Sequence, residues 1–423
     1  MFQSCYNLRW ESLLESDLYA GKSRVKKAAI THSQAFDPIR PNDCASFVKI
    51  EVNSGAARKA RLIQANVNEA TAYENPREYY ACLKALADFS EHEVIRAGVR
   101  FRLVYAGGRN HDDLSDLVSE WLSLKNICID ERDGKNWDAS MQQPMMSAIL
   151  ELYSALGLSS ASRAQARYPR TNGRVYANDG FGRTKMKYVS CWKRLSGDWD
   201  TTFGNTAISM MCCVFSISQL PAHLRPRLVH ALFMGDDYWG VYQYESLPNL
   251  TDLRHALNHY DAIFGITPER AIFLDPLMTS FISLTLWPRH PGGYQFVPKP
   301  AKQMRKLFWS IRPHSPRHVL AVRNGICINF FPVYQGFEMM MRFIKFHFTP
   351  GVAAVKYQHF YADMFTMRGR EVNWVEGFSR KYTIPFEATR FPFPVDEAVY
   401  YHPVIDLMLK QESADPIDRP GAY

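Results

Sequence analysis

Long apolar runs are what this chain most plainly lacks. The longest, Ala207 to Leu220, is shorter than the ~20 residues a membrane-crossing helix needs, so it reads as a buried helix. The eight cysteines contain no Cys-x-x-C pair, which leaves no zinc ribbon and no disulfide framework and makes reduced thiols the expectation. Internal repeats and low-complexity tracts are missing, so a solenoid or an array is excluded. Arg9, Glu11 and Glu15 interrupt the start of the chain where a secretory leader needs an apolar core, and no signal peptide is expected there. Neither sign of charge dominates. Fifty Lys and Arg against 42 Asp and Glu give a net charge of +8, which suits a polyanionic partner without demanding one.

What is present is a chain of 423 residues that is 47% hydrophobic and 13% aromatic, enough for two or three domain-sized units or one large enzyme. Its most telling stretch is Phe233-Met234-Gly235-Asp236-Asp237-Tyr238. The apolar run Leu228 to Met234 leads in and Tyr238 to Tyr244 leads away, so a β-hairpin with carboxylates at its tip is expected. Like charges held together are costly unless a cation neutralises them, which points to a divalent metal site for phosphoryl transfer. An ordinary Asp-rich turn is the plainer alternative for the dipeptide alone.

Other segments keep it company. Gly21 sits beside Lys22, Arg24, Lys26 and Lys27, a turn suited to a phosphate backbone. Strand-like runs, Phe47 to Val52 and Ala56 to Gln64, flank a turn at Asn53-Ser54-Gly55. They bring Lys49, Arg58, Lys59 and Arg61 within reach of a triphosphate, with Glu51 placed to orient one of them. Residues 78–128 read as mostly helical, with Tyr79 to Phe89 and Asp113 to Leu124 the clearest cases. The strand after Asn126 runs into an acidic segment and then a helix from Ser140 to Leu156. Asp133 and Asp138 are singled out there as site candidates, with Asp130 and Glu131 as solvent-facing neighbours, although on its own the segment reads more simply as a charged loop. Between 160 and 188 arginines and lysines alternate with Tyr168, Tyr176, Phe181 and Tyr188, a pattern that suits either a phosphate backbone with stacked bases or simply a solvated basic face. Ser196, Thr201 and Asn205 precede or open a helix read as Thr206 to Gln219, and serve either as caps or as a surface for a sugar hydroxyl. Further on come a helix at Leu250 to Ala262, a strand at Arg270 to Leu274 and a hairpin from Phe281 to Val297. Helical patterns follow at Tyr334 to His347 and Val399 to Lys410, and the tail after Gln411 looks loose.

The order and spacing of these segments resemble the RNA-dependent RNA polymerases of positive-strand RNA viruses, in particular the tombusvirus/nodavirus-like group. Asp133 and Asp138 resemble that family's motif A. Ser196, Gly197, Thr201 and Asn205 match its motif B pattern S-G-x-x-x-T-x-x-x-N at every fixed position. Gly235-Asp236-Asp237 is similar to motif C, Lys49-Ile50-Glu51 with Arg61-Leu62-Ile63 to motif F, and Tyr19, Gly21, Lys22 and Arg24 to motif G. Phe281-Ile282-Ser283 with its hairpin is similar to motif E. The sequence departs from the family in having its motif G almost at residue 1 and no clear motif D lysine. Arg270 and His259 are the nearest basic candidates for that lysine.

The resemblance implies an α+β fold of the right-hand polymerase type, with fingers, palm and thumb and an antiparallel palm sheet backed by helices. Fingers would occupy 1–125 and an insertion at 159–189. The palm would occupy 126–158 and 190–298, and a mostly helical thumb 299–423. It implies two-metal nucleotidyl transfer with Asp133, Asp236 and Asp237 as catalytic metal ligands for Mg²⁺, for which Mn²⁺ substitutes. Asp138, Ser196, Thr201 and Asn205 would recognise the ribose. Lys49, Lys59 and Arg61 would hold the triphosphate, and Gly21, Lys22, Arg24 and Gly197 would contact template RNA. Template and product RNA, nucleoside triphosphates and other viral replication proteins are the implied partners, with no membrane span, in a replication complex in the host cell cytoplasm. Reverse transcription, and a catalytically silent RNA-binding protein with a polymerase-like palm, are the alternatives. The pairing of Asp138 with Asn205 favours ribonucleotides over the first, and the presence of all three metal carboxylates speaks against the second.

Overall fold

The computed structural model describes residues 43–48, 62–66, 91–134, 136–155, 160, 173–178, 184–194, 200–289, 292–299, 417, 419 and 421–423. Along these the order is β1 (Asp43–Val48), β2 (Leu62–Asn66), β3 (Glu91–Arg96), β4 (Val99–Tyr105), α1 (His111–Trp121), β5 (Ile127–Gly134), α2 (Trp137–Ser140), α3 (Gln143–Ala155), β6 (Gly173–Asn178) and β7 (Thr184–Ser190). Then follow α4 (Thr201–Gln219), β8 (Leu228–Met234), β9 (Asp237–Gln243), α5 (Leu250–Ala262), β10 (Pro268–Phe273), β11 (Ser280–Phe281), β12 (Leu284–Pro288) and β13 (Tyr294–Pro298). The fold is mixed α and β.

Its centre is a six-stranded sheet in the order β10-β5-β9-β8-β4-β3. The sheet is mixed rather than antiparallel as expected: β4 runs parallel to β8, while the other neighbours are antiparallel. A parallel pair cannot be closed by a tight turn, and here a long excursion through β5 and α4 separates the two strands in sequence. Strands β3 and β4 also correct the helical reading of this region. Val99, Phe101 and Leu103 are fully buried while Arg100 is exposed, a two-residue period that suits one face of a sheet. The segment expected to belong to the fingers therefore contributes two strands to the same sheet as Asp133 and Asp236.

Each face of the sheet is covered. On one, α4 and α5 pack Met210, Cys213, Val214, Ile217, Leu253 and Leu257 against Phe101, Cys128, Val229, Ala231 and Phe233. On the other, α1 and the β11-β12-β13 sheet pack Trp121, Leu286 and Phe296 against Ile129, Leu232, Trp239 and Val241. Burial of residues this size is worth about 1.5–3 kcal/mol each, so both layers hold the sheet firmly. Helix α1 starts with a capping box, in which Asn110 accepts from the Asp113 amide and Asp113 accepts from the Asn110 amide.

A second sheet has the order β2-β1-β6-β7. β1 and β2 pair antiparallel with Val48 opposite Leu62, and β6 joins parallel to β1. The insertion expected at 159–189 thus shares a sheet with the strands that flank Lys49, Lys59 and Arg61.

The tail corrects another expectation. Its described residues are docked rather than loose. Tyr423 exchanges both backbone hydrogen bonds with Ile272 on β10, at 3.2 and 3.0 Å. The Arg419 guanidinium grips the Glu131 carboxylate with two hydrogen bonds, at 2.7 and 2.6 Å. The expected helices at Tyr79 to Phe89, Tyr334 to His347 and Val399 to Lys410 lie outside the described residues. Among the described residues, no helix is long and apolar enough to cross a membrane.

Candidate active site

The tip of the β8–β9 hairpin is built by its turn. Met234 pairs with Asp237, leaving Gly235 and Asp236 as the two loop residues. Gly235 has φ of +70°, whereas Asp236 is not among the positive-φ residues. Glycine at the first central position with ordinary φ at the second is the signature of a type II′ turn, whose twist matches that of the flanking strands. A Cβ on Gly235 would meet nothing within 4 Å, so the glycine is required by backbone conformation and not by crowding.

Asp133 approaches from the neighbouring strand. β5 pairs with β9 from Ile127 opposite Gln243 to Arg132 opposite Tyr238. Continued by one step, that register sets Asp133 opposite Asp237. Asp133 is exposed near the end of β5, and Asp236 and Asp237 are half-buried. The expected carboxylates therefore share one corner of the sheet.

The electrostatics agree with that placement. The Asp236 carboxyl is pushed up to about 6, first by burial and then by the charge of Asp133, with Asp138 adding to it. Its own backbone hydrogen bond and the more distant Arg132 offset only part of this. Here like charges dominate the surroundings, the usual condition for a carboxylate awaiting a cation or a proton.

Asp138 reaches the corner through a short path. Asn136 takes the left-handed conformation, φ 52° and ψ 39°, and opens helix α2. From α2, Asp138 Oδ1 accepts a hydrogen bond from Asn205 Nδ2 at 2.8 Å. Asn205 is buried near the start of α4, and its own Oδ1 is buried with no hydrogen-bond partner. Such an acceptor is costly to leave unmet and fits a ligand hydroxyl. Thr201 is the first residue of α4, one turn before Asn205 and on the same face.

Between β7 and α4, two described residues are tied to each other. Arg194 and Asp200 form a fully buried ion pair at 2.7 Å, and Tyr153 donates to the same carboxylate at 2.8 Å. A Cβ on Gly204 would collide with the Arg194 guanidinium, so glycine lets that guanidinium lie against α4. Ser196 and Gly197 fall between Arg194 and Asp200 in sequence and lie outside the described residues, as do Gly21, Lys22, Arg24, Lys49, Lys59 and Arg61.

Two expectations are corrected at β5. Asp130 and Glu131 are buried, not solvent-facing. Successive residues of a strand face opposite sides, and both sides of this sheet are covered. Asp130 and Arg132 turn towards α4 and α5, where Arg270, Asp261, Tyr242 and Ser216 complete a buried network. Glu131 turns the other way, towards Ser280 and Arg419. Of the basic candidates for a motif D lysine, Arg270 belongs to this buried network and His259 is exposed on α5. Thr206, which the sequence reading passed over, accepts a hydrogen bond from the Gly235 amide at 2.8 Å.

Oxygen-only donors of this kind fit a hard divalent cation such as Mg²⁺ or Mn²⁺. Among the described residues, no three His, Cys, Asp or Glu side chains are already gathered as a metal cage. The fit lies in donor chemistry and in the like charges beside Asp236. No protein-family model matches the chain. No curated protein matches it either.

Proposed function

We propose that the chain is an RNA-directed RNA polymerase, a nucleotidyltransferase of the kind its motifs resemble, with a right-hand fold of fingers, palm and thumb. The observation that carries this is the convergence of Asp133, Asp138 and Asp236 at one corner, close enough that the first two charges raise the third carboxyl. Carboxylates distant in sequence and brought to one corner suit a divalent-cation site, and Asn205 on Asp138 gives that site a sugar-reading neighbour.

In this reading Asp133 and Asp236 hold the cations, with Asp237 as an accessory ligand. Bound Mg²⁺ would activate the primer 3′-hydroxyl and neutralise the leaving pyrophosphate. The buried Asn205 Oδ1 accepts the 2′-hydroxyl proton of the incoming nucleotide, while Asp138 fixes the amide through its Nδ2. Lys49, Lys59 and Arg61 take the triphosphate, with Arg offering paired contacts. Template identity is read by base pairing, so backbone contacts from Gly21, Lys22, Arg24 and Gly197 suffice. Viral RNA, nucleoside triphosphates and other replication proteins in a cytoplasmic replication complex are the partners this reading names.

The deciding experiment is template-dependent incorporation by purified full chain with Mg²⁺ or Mn²⁺, with and without primer, offering ribo- and deoxyribonucleotides. Ribonucleotide incorporation is expected, and Asp236→Ala should abolish it while the protein stays folded and bound to RNA. Near-normal incorporation by that variant removes the metal assignment. Preference for deoxyribonucleotides would instead indicate a reverse transcriptase, and RNA binding without incorporation a silent polymerase-like protein.

A further inference from the structure

Gly235 and Asp236 form the two-residue loop of their hairpin, beyond the last paired residues Met234 and Asp237. A loop amide at a hairpin tip ordinarily faces water. The Gly235 amide instead donates to Thr206 Oγ1 at 2.8 Å, and that bond is buried. The same hydroxyl donates to the Thr202 carbonyl at 2.8 Å, one turn back in α4. A hydroxyl has one proton to give and lone pairs to accept with, so both bonds are made at once and the rotor is fixed. Thr206 is itself 1% exposed. The preceding residue, Asn205, holds Asp138. Consecutive residues of one helix thus grip the two elements that carry Asp138 and Asp236.

We propose that Thr206 is a positioning residue for the carboxylate turn, anchoring Gly235-Asp236 to α4 so that the helix sets where Asp236 stands relative to Asp133 and Asp138. The proposal rests on the polymerase reading only for its kinetic consequence. The anchoring itself is a property of the folded chain. Valine has the shape of threonine but can neither accept from the amide nor donate to Thr202. Thr206→Val therefore strands a buried N–H and frees the turn, whereas Thr206→Ser keeps the hydroxyl.

Residue-resolved hydrogen exchange on the metal-free full chain tests the anchor without any variant. The Gly235 amide is expected to exchange about 100-fold or more slowly than an unstructured amide. Exchange at the unstructured rate overturns the proposal. Mn²⁺ titration followed by electron paramagnetic resonance then tests the consequence. Thr206→Val should weaken Mn²⁺ binding by about tenfold or more, and Thr206→Ser should restore it. In the incorporation assay Thr206→Val should lower kcat by about 10- to 100-fold with little change in nucleotide KM. Unaltered Mn²⁺ affinity and kcat in a folded Thr206→Val chain overturn the positioning role. If Thr206→Val does not fold, the wild-type exchange rate and the Thr206→Ser titration decide. A wild-type chain that never incorporates nucleotides, yet shows the protected amide and the Thr206-dependent Mn²⁺ affinity, refutes the polymerase reading and leaves the anchor standing.

Discussion

Strand β5 carries two opposite treatments of charge within a few residues. On the α4/α5 face, Asp130 and Arg132 sit in a buried network of paired opposite charges. Arg270 stands 3.0 Å from Asp130 and 2.9 Å from Asp261, and Arg132 stands 3.2 Å from Asp261. Tyr242 donates to Asp130 at 2.7 Å, Ser216 donates to Asp261 at 2.7 Å, and the Arg132 guanidinium also packs over the Trp137 and Tyr238 rings. Burial opposes ionisation of Asp261, but the Arg270 and Arg132 guanidiniums outweigh it and hold its carboxyl below the usual range. Burial prevails at Asp130, which stays above its ordinary value even though its close partners are cations. Beside the end of β5, at the β8–β9 turn, the Asp236 carboxyl is pushed up first by burial and then by the charge of Asp133 on β5, with Asp138 adding to it. Burial alone therefore does not mark a functional carboxylate. The sign of the neighbouring charges separates the two sites: cations tie a carboxylate into the structure, and like charges raise the cost of ionising it.

The sharpest way to break this contrast is to remove a carboxylate from the paired network. Asp261→Ala would leave Arg132 and Arg270 buried without their shared partner. It should destabilise the chain by about 3–5 kcal/mol in denaturant melts. A loss below ~1 kcal/mol would show that the network is dispensable and that the comparison fails on its structural side. The strand's outer face gives the next largest effect. Arg419→Met removes the paired contacts to Glu131, although Ser280 keeps both of its bonds to that carboxylate. A loss of about 2 kcal/mol is expected, together with faster hydrogen exchange at Ile272, whose amide is bonded to Tyr423. Unchanged stability and exchange would mean that the tail contact contributes nothing in solution.

How much of this was legible depended on how local its cause is. The hairpin around Gly235-Asp236 and the helix Leu250–Ala262 could be read from neighbouring residues, because a turn glycine and a three-to-four-residue apolar spacing act over short range. The contact of Asp138 with Asn205 was legible through the motif spacing that family resemblance supplies. The signal for β4 was also present, in the alternation of Val99, Phe101 and Leu103 with Arg100 and Arg102, and the helical reading overrode it. The fate of Glu131 was not legible, since its partner Arg419 lies 288 residues away. Nor was Thr206, whose importance comes from a turn amide supplied by another hairpin. Sequence patterns report which face of an element is buried; they do not report what stands opposite.

At the turn, the expected effect is smaller and opposite in sign. The Asp236 carboxyl is raised to about 6 in the folded chain, against an ordinary unfolded value. Between pH ~4 and ~6 the folded state therefore binds the extra proton, and metal-free stability should fall as pH rises through that window. Asp236→Asn removes this dependence. It should match wild type near pH 4 and exceed it by about 1–2 kcal/mol above pH 6, while losing activity. Excess Mg²⁺ should erase the difference by stabilising the ionised wild-type site. A variant less stable than wild type at pH 7 without metal would show that Asp236 is compensated like Asp261.

The smallest effect concerns a hydrogen bond with capacity to spare. In the charged network Asp130 Oδ1 has the Arg270 guanidinium 3.0 Å away, whereas Asn205 donates through Nδ2 to Asp138 and leaves its own Oδ1 buried and without a hydrogen-bond partner. Asn205→Asp and Asp138→Glu should each leave the fold intact but disturb that acceptor, one by adding repulsion and the other by lengthening the reach. The ratio of ribo- to deoxyribonucleotide incorporation should drop about five- to tenfold, roughly 1 kcal/mol, with a smaller change in ribonucleotide turnover alone. The measurement is competition between the two nucleotides on one RNA template. Wild-type ratios in both variants would place the sugar reader elsewhere and leave the orphaned Asn205 oxygen as a packing defect rather than a recognition group.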